Sequence, residues 1–366
     1  MRRLLLLAAA ASALVDPEEV RATTSCRVVR VPAPAPSGAP KLAYDAASHA
    51  VVPQAAAPPP THVDQVVCFP RVLVLGAART GTTALFEFLV KHRAILPPGP
   101  KENKRVCELT EKTARLYEEK VGENLAATLE RKGNAIREPL MTLEAATYNL
   151  FCPGPLGLDH RAQLMARTFR PRAIVLHREP LERLWSEYKY FGSFNPRCDP
   201  SPARFVDLVG NQTAALLACR GYWAQWLDGQ RWGRHDCDAE LANQLSTSPP
   251  HYPCGHLARV VPGLSHYFES RWRRALGDKH VHAVTSTELR RTRMGPRLWS
   301  FLNLTYVRKP KTPDLNGRVE PKSPRPHPKG AAFLETLEGV GPPEAARARL
   351  AAFHADFDPR VLDALI

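Results

Sequence analysis

The run Pro70-Arg71-Val72-Leu73-Val74-Leu75-Gly76-Ala77-Ala78-Arg79-Thr80-Gly81-Thr82-Thr83-Ala84-Leu85-Phe86-Glu87-Phe88-Leu89 constrains the fold more than any other part of the chain. Val72 to Leu75 is a short apolar, β-branched stretch of the kind buried on both faces of a parallel sheet. Beyond the glycine turn, Leu85, Phe86, Phe88 and Leu89 recur at helical spacing. A strand that turns tightly into a helix belongs to an α/β architecture. The expected fold is therefore P-loop-like, a three-layer α/β/α arrangement about a central parallel sheet. The first-turn amides of the helix lack intrahelical partners and carry the positive end of its dipole. Gly81, Thr82 and Thr83 thus face an anion such as a nucleotide phosphate.

The turn differs from a nucleoside-triphosphate loop, G-x-x-x-x-G-K-[ST], in one position. Gly76 and Gly81 fit, but Thr82 stands where the lysine reaches the β and γ phosphates, and the loop's cation sits earlier, at Arg79. In this form the stretch resembles the 5′-phosphosulfate loop of the sulfotransferase family, whose donor is 3′-phosphoadenylyl sulfate (PAPS). The resemblance implies that Arg79, Thr80, Gly81, Thr82 and Thr83 hold the donor's phosphosulfate end.

About a hundred residues later a second strand, turn and helix follows. Ala173 to Leu176 forms the strand, Pro180 suits a first helical turn, and Leu181, Leu184, Trp185 and Tyr188 make an apolar stripe. Arg178 and Ser186 resemble the family's 3′-phosphate element, the feature that distinguishes PAPS from ADP. Between the two elements Glu102 resembles the base that takes the acceptor's proton in family members acting on glycans or tyrosine. Asn103, Lys104 and Arg105 depart from the histidine and aromatic residues usual after it, and Glu138 in Arg137-Glu138-Pro139 is a second candidate base. Because arginine stays charged, Arg79 acts electrostatically and not as a proton donor.

Downstream, Ser265 to Trp272 reads as a helix, Val281 to Val284 as a strand, and Ser286 to Leu289 and Leu298 to Leu304 as further helix, with a closing helix from Leu350 to Leu365. This order resembles the C-terminal half of the sulfotransferase domain, in which a basic loop folds over the donor. Arg318, Lys322, Arg325 and Lys329 occupy the corresponding stretch. Residues 192–255, with four cysteines, form an insertion resembling nothing recognisable.

The chain's first part differs in composition. Arg2 and Arg3 precede an apolar run from Leu4 to Val15, too short for a membrane span, and Ala11-Ser12-Ala13 supplies a cleavage site; 1–15 reads as a signal peptide or a short signal anchor. Residues 16–66, rich in alanine and proline, read as a disordered stem, and 67–366 as the catalytic domain. This layout resembles the Golgi-lumenal carbohydrate sulfotransferases, most of all the heparan sulfate type. Eight cysteines suit an oxidising lumen, with pairing open, and none has the close spacing of a zinc site, so no metal is expected. Asn211-Gln212-Thr213 and Asn303-Leu304-Thr305 are glycosylation acceptors in that compartment.

The formal net charge of +14 attracts polyanions of any kind. No recognisable nucleic-acid-binding module accompanies it, so the expected partner is an anionic glycan, with Arg271, Arg273, Arg274, Arg290, Arg291 and Arg293 as contact candidates and the membrane met only through a signal anchor. Two other readings fit the residues: a P-loop kinase or NTPase with an aberrant loop, and an inactive relative that binds glycans without transfer.

Overall fold

The computed structural model describes residues 26–32, 42–45, 50–53, 62–96 except 93, 107, 140–152 except 148, 157–193, 201–219, 222, 237, 259–290, 294–304 and 341–356. Its strands are β1 (Cys26–Pro32), β2 (Leu42–Asp45), β3 (Ala50–Pro53), β4 (His62–Gly76), β5 (Ile95–Leu96), β6 (Leu140–Ala145), β7 (Arg172–His177) and β8 (Val281–Thr285). Its helices are α1 (Thr82–Val90), α2 (Gly157–Thr168), α3 (Pro180–Gly192), α4 (Pro202–Ala218), α5 (Ser265–Leu276), α6 (Ser286–Arg290), α7 (Met294–Leu302) and α8 (Glu344–Asp356).

Five strands form a parallel sheet in the order β5-β6-β4-β7-β8. Alternation along the central strands separates its two faces, as a period of two requires. Leu73, Leu75, Ala173 and Val175 pack with Leu158, Leu184, Phe205, Phe268, Trp272 and Phe353, which come from α2, α3, α4, α5 and α8. Val72, Val74, Ile174 and Leu176 pack with Leu85 and Phe88 of α1, Leu289 of α6 and Leu298, Trp299 and Leu302 of α7. Helices thus cover both faces, and the fold is the expected α/β/α arrangement about a parallel sheet.

The segment 16–66 differs from the stem expected there. It holds β1, β2 and β3, and β4 itself begins at His62. β1 runs antiparallel to the first half of β4, from Cys26 opposite Cys68 to Pro32 opposite His62, while β7 takes the second half of the same edge. Val28, Val29 and Val31 are β-branched, and that local strand preference competes with the proline-rich composition around them.

Two further differences concern helices. α8 begins at Glu344, six residues before the Leu350 start read from the apolar pattern, because Pro342 and Pro343 set up a first turn that an acidic residue favours. Within the unassigned insertion, α4 starts at Ser201, whose side chain accepts from the Arg204 amide, and at Pro202, and it buries Phe205, Leu208, Val209 and Leu216. Disulfides Cys107–Cys152 and Cys219–Cys237 pair cysteines that the sequence left unassigned.

Candidate functional site

The turn between β4 and α1 is fixed by steric necessity. Gly76 adopts φ +123°, and a Cβ there would lie 2.2 Å from the Thr147 carbonyl oxygen, so backbone from the β6 exit occupies the space a side chain would need. Thr80 Oγ1 donates to the Ala77 carbonyl at 2.7 Å and closes the loop. Gly81, at φ +104°, then turns the chain into α1, whose N-terminus has no side-chain cap. The amides of the first helical turn are left for an external acceptor.

Opposite this turn, β7 delivers Arg178 and α3 delivers Ser186. Glu179 caps α3 by accepting from the Glu182 amide at 2.7 Å, and Pro180 occupies its first turn. Arg178 reaches across with Nη1 to the Arg79 carbonyl oxygen at 3.1 Å, and its Nε meets Glu182 at 3.4 Å. Arg79 in turn donates from Nε to Ser186 Oγ at 3.3 Å, with its guanidinium 4.3 Å above the Tyr190 ring. Crowding by protein lowers the Arg79 pKa, while Tyr190 and Glu187 offset it. The group opens to solvent and stays cationic at neutral pH.

These elements enclose a cleft of about 280 Å³, lined by Arg79, Thr80, Gly81, Thr82, Thr83, Ala84, Arg178, Ser186, Ser286 and Leu289. It sits where β4, β7 and β8 end, beyond the carboxyl edge of the parallel sheet, the place open α/β sheets reserve for ligands. Two cations, an uncapped helix N-terminus and two or more hydroxyls facing one cavity make a receptor for a multiply charged anion.

The structure therefore brings together Arg79, Thr80, Gly81, Thr82, Thr83, Arg178 and Ser186. Glu102, Glu138 and the stretch from Arg318 to Lys329 lie outside the described residues. Sequence reasoning missed Ser286, Leu289 and Tyr190. Tyr190 was readable in principle, since it lies one helical turn beyond Ser186 and shares its face. Ser286 carried no local signal and reaches the cleft because it follows β8.

Among the arginines read as glycan contacts, Arg271 is corrected. It is buried, donates to Asp159 at 2.6 Å and to the Tyr267 hydroxyl at 2.9 Å, and serves packing. Arg273 pairs with Glu269 at 2.6 Å. Arg274 is exposed, and the side chains of Arg290, Arg291 and Arg293 lie outside the described residues.

Behind the cleft, buried polar groups hold its walls in place. Glu187, next to Ser186 on α3, accepts from Arg183 at 2.8 Å and from Arg259 Nη2 and Nε at 2.6 and 2.9 Å, and Arg183 also donates to the Arg259 carbonyl. Burial alone would raise the Glu187 pKa. Arg259 and Arg183 outweigh it and hold the carboxyl below its usual range. At the end of β7, His177 contacts Ser265 Oγ through Nδ1 at 2.7 Å and Glu269 Oε2 through Nε2 at 2.6 Å. Burial opposes ionisation of Glu269, but the hydrogen bonds from His177 and Arg273 together keep its carboxyl below the usual range.

No protein-family model matches the chain, and no curated protein matches it. Among solved structures, a sulfotransferase from Alicyclobacillus acidocaldarius matches with a TM-score of 0.41 and 19% sequence identity, over 78% of this chain and 96% of that one. No described helix is long and apolar enough to cross a membrane.

Proposed function

We propose that the protein is a sulfotransferase that moves a sulfuryl group from PAPS to a hydroxyl or amine of a carbohydrate, with a glycosaminoglycan-like polysaccharide as the first acceptor to test. The observation that carries this reading is the convergence of Arg79, Arg178, Ser186 and the α1 amides on one cleft. A nucleotide with phosphates at both ends of its ribose needs two such anion contacts. Thr82 in place of a P-loop lysine argues against ATP or GTP.

In this scheme the acceptor oxygen attacks sulfur in line, the bond from sulfur to the bridging phosphate oxygen breaks, and adenosine 3′,5′-bisphosphate leaves. Glu102 accepts the acceptor's proton. Arg79 and the amides of Gly81, Thr82 and Thr83 stabilise the charge that grows on the leaving phosphate. Fixed cations and backbone dipoles here take the part that Mg²⁺ plays in phosphoryl transfer. The excess positive charge, +14 overall, would concentrate a sulfated or carboxylated acceptor. The two disulfides fit an oxidising compartment, and we place the protein in the Golgi lumen.

The test is transfer of ³⁵S from labelled PAPS to heparan, chondroitin and neutral glycans, without added metal. Arg79→Ala and Glu102→Gln should each lower turnover by roughly a hundredfold or more with the fold intact. Near-normal turnover in Glu102→Gln would reject that residue as the base. Glycan binding without label transfer would mark an inactive relative.

A further inference from the structure

We propose that His177, His266 and Glu269 form a binding site for a zinc-type divalent ion at the end of β7, tying α5 to the strand end that carries Arg178. The three donor atoms lie within 4.8 Å of one another. What distinguishes the group from an ordinary ion pair is how the opposite ends of two of its members are held. His177 gives Nδ1 to Ser265 Oγ at 2.7 Å, which leaves Nε2 facing Glu269 Oε2. Glu269 gives its other oxygen, Oε1, to Arg273 at 2.6 Å. Metal-binding histidines and carboxylates are oriented this way, with the rear atom bound to the protein and the front atom pointing at the ion.

The third donor is of a different kind. His266 sits one residue after Ser265, with its ring stacked on that of His177 at 3.9 Å between centroids and 7° between planes, and its Nδ1 is 3.9 Å from Glu269 Oε2. Its side chain is 78% exposed, so it can swing without disturbing the core and bring Nδ1 out of the stack. An ion needs about 2 Å to each ligand, so the 2.6 Å contact between Nε2 and Oε2 opens as the ion enters, and the proton shared there leaves to solvent. Two imidazoles and one carboxylate, with water in the fourth position, is a donor set that suits Zn²⁺ or Co²⁺. The site escaped sequence reading because Glu269 lies 92 residues from His177.

The test is equilibrium dialysis of the full chain against Zn²⁺ after chelator treatment, read by elemental analysis, with Co²⁺ as the spectroscopic substitute. One tightly held ion per chain, visible Co²⁺ absorption of tetrahedral type, and at least a tenfold weaker affinity in His266→Ala are the expected results. Ser265→Ala, which leaves all three ligands in place, should weaken affinity about tenfold through loss of orientation. The chain has 13 histidines, so binding that is unchanged in His266→Ala would be adventitious and would overturn the site. Absence of stoichiometric binding would identify the group as a hydrogen-bonded His–Glu pair. Neither outcome bears on PAPS binding in the cleft, which is measured separately.

Discussion

Arg79 and Ser186 lie 107 residues apart in the chain and meet at 3.3 Å in the lining of the cleft, so the β4 turn and helix α3 share one contact there. Under the sulfotransferase reading, both are donors to the same nucleotide. Ser186→Ala should weaken binding of adenosine 3′,5′-bisphosphate by about tenfold, the worth of one hydrogen bond to a charged group, and leave ADP binding unchanged. Isothermal titration separates the two. An equal loss for both nucleotides would remove Ser186 from the 3′-phosphate.

The two loop glycines are required for different reasons, and their alanine variants should rank accordingly. At Gly81 the nearest obstacle to a Cβ is the Leu289 Cδ2 methyl at 2.8 Å, a side-chain end able to shift, so the cost is chiefly that of a positive φ, about 1–2 kcal/mol. At Gly76 the obstacle is backbone oxygen at 2.2 Å, which cannot move without displacing the β6 exit. Urea unfolding should find Gly76→Ala much the less stable of the two. The reverse order would contradict the loop geometry.

Glu187 is fully buried between two arginines, and removing its charge takes the carboxylate partner from both. Glu187→Ala should destabilise the protein by about 3–5 kcal/mol in chemical denaturation. It should also weaken bisphosphate binding, since α3 loses the anchor beside Ser186. A loss under about 1 kcal/mol would mean that the network contributes nothing net.

His354 on α8 introduces a pH dependence. Burial first, and then the positive charge of Arg183, push its pKa down to about 4. The unfolded chain therefore binds a proton at higher pH than the folded one, with an ordinary value of 6.5. Stability is full above that value and is lost progressively as pH falls to about 4, by about 3 kcal/mol in all. Denaturation midpoints across this window should slope, and His354→Gln should flatten them. An equal slope in the variant would assign the effect to other groups.

How much of this was readable beforehand follows from which interactions are local. The two strand–turn–helix units were legible because Val72–Leu75, Ala173–Leu176 and the helical stripes beyond them carry their periods within twenty residues. Most of the cleft's lining, Arg79 to Ala84 with Arg178 and Ser186, comes from those same units. What stayed hidden depends on distant pairing. The Arg183–Glu187–Arg259 network, the His177–Ser265–Glu269 chain and the Cys107–Cys152 bond join residues 45 to 92 positions apart wherever they bridge elements, and no local pattern marks them. The β1–β4 ladder was missed for another reason. Proline and alanine dominate the composition of 16–66, and three valines were too short a run to outweigh them.

Under the sulfotransferase reading the cleft holds a 3′,5′-bisphosphorylated nucleotide, and calorimetric titration of the full chain with adenosine 3′,5′-bisphosphate and with ADP, both without magnesium, is the deciding measurement. The expected result is micromolar binding of the bisphosphate, at least tenfold weaker binding of ADP, and loss of the difference in Arg178→Ala. Equal affinity for the two nucleotides, or ADP binding that appears only with magnesium, would contradict it and favour a nucleoside-phosphate enzyme instead.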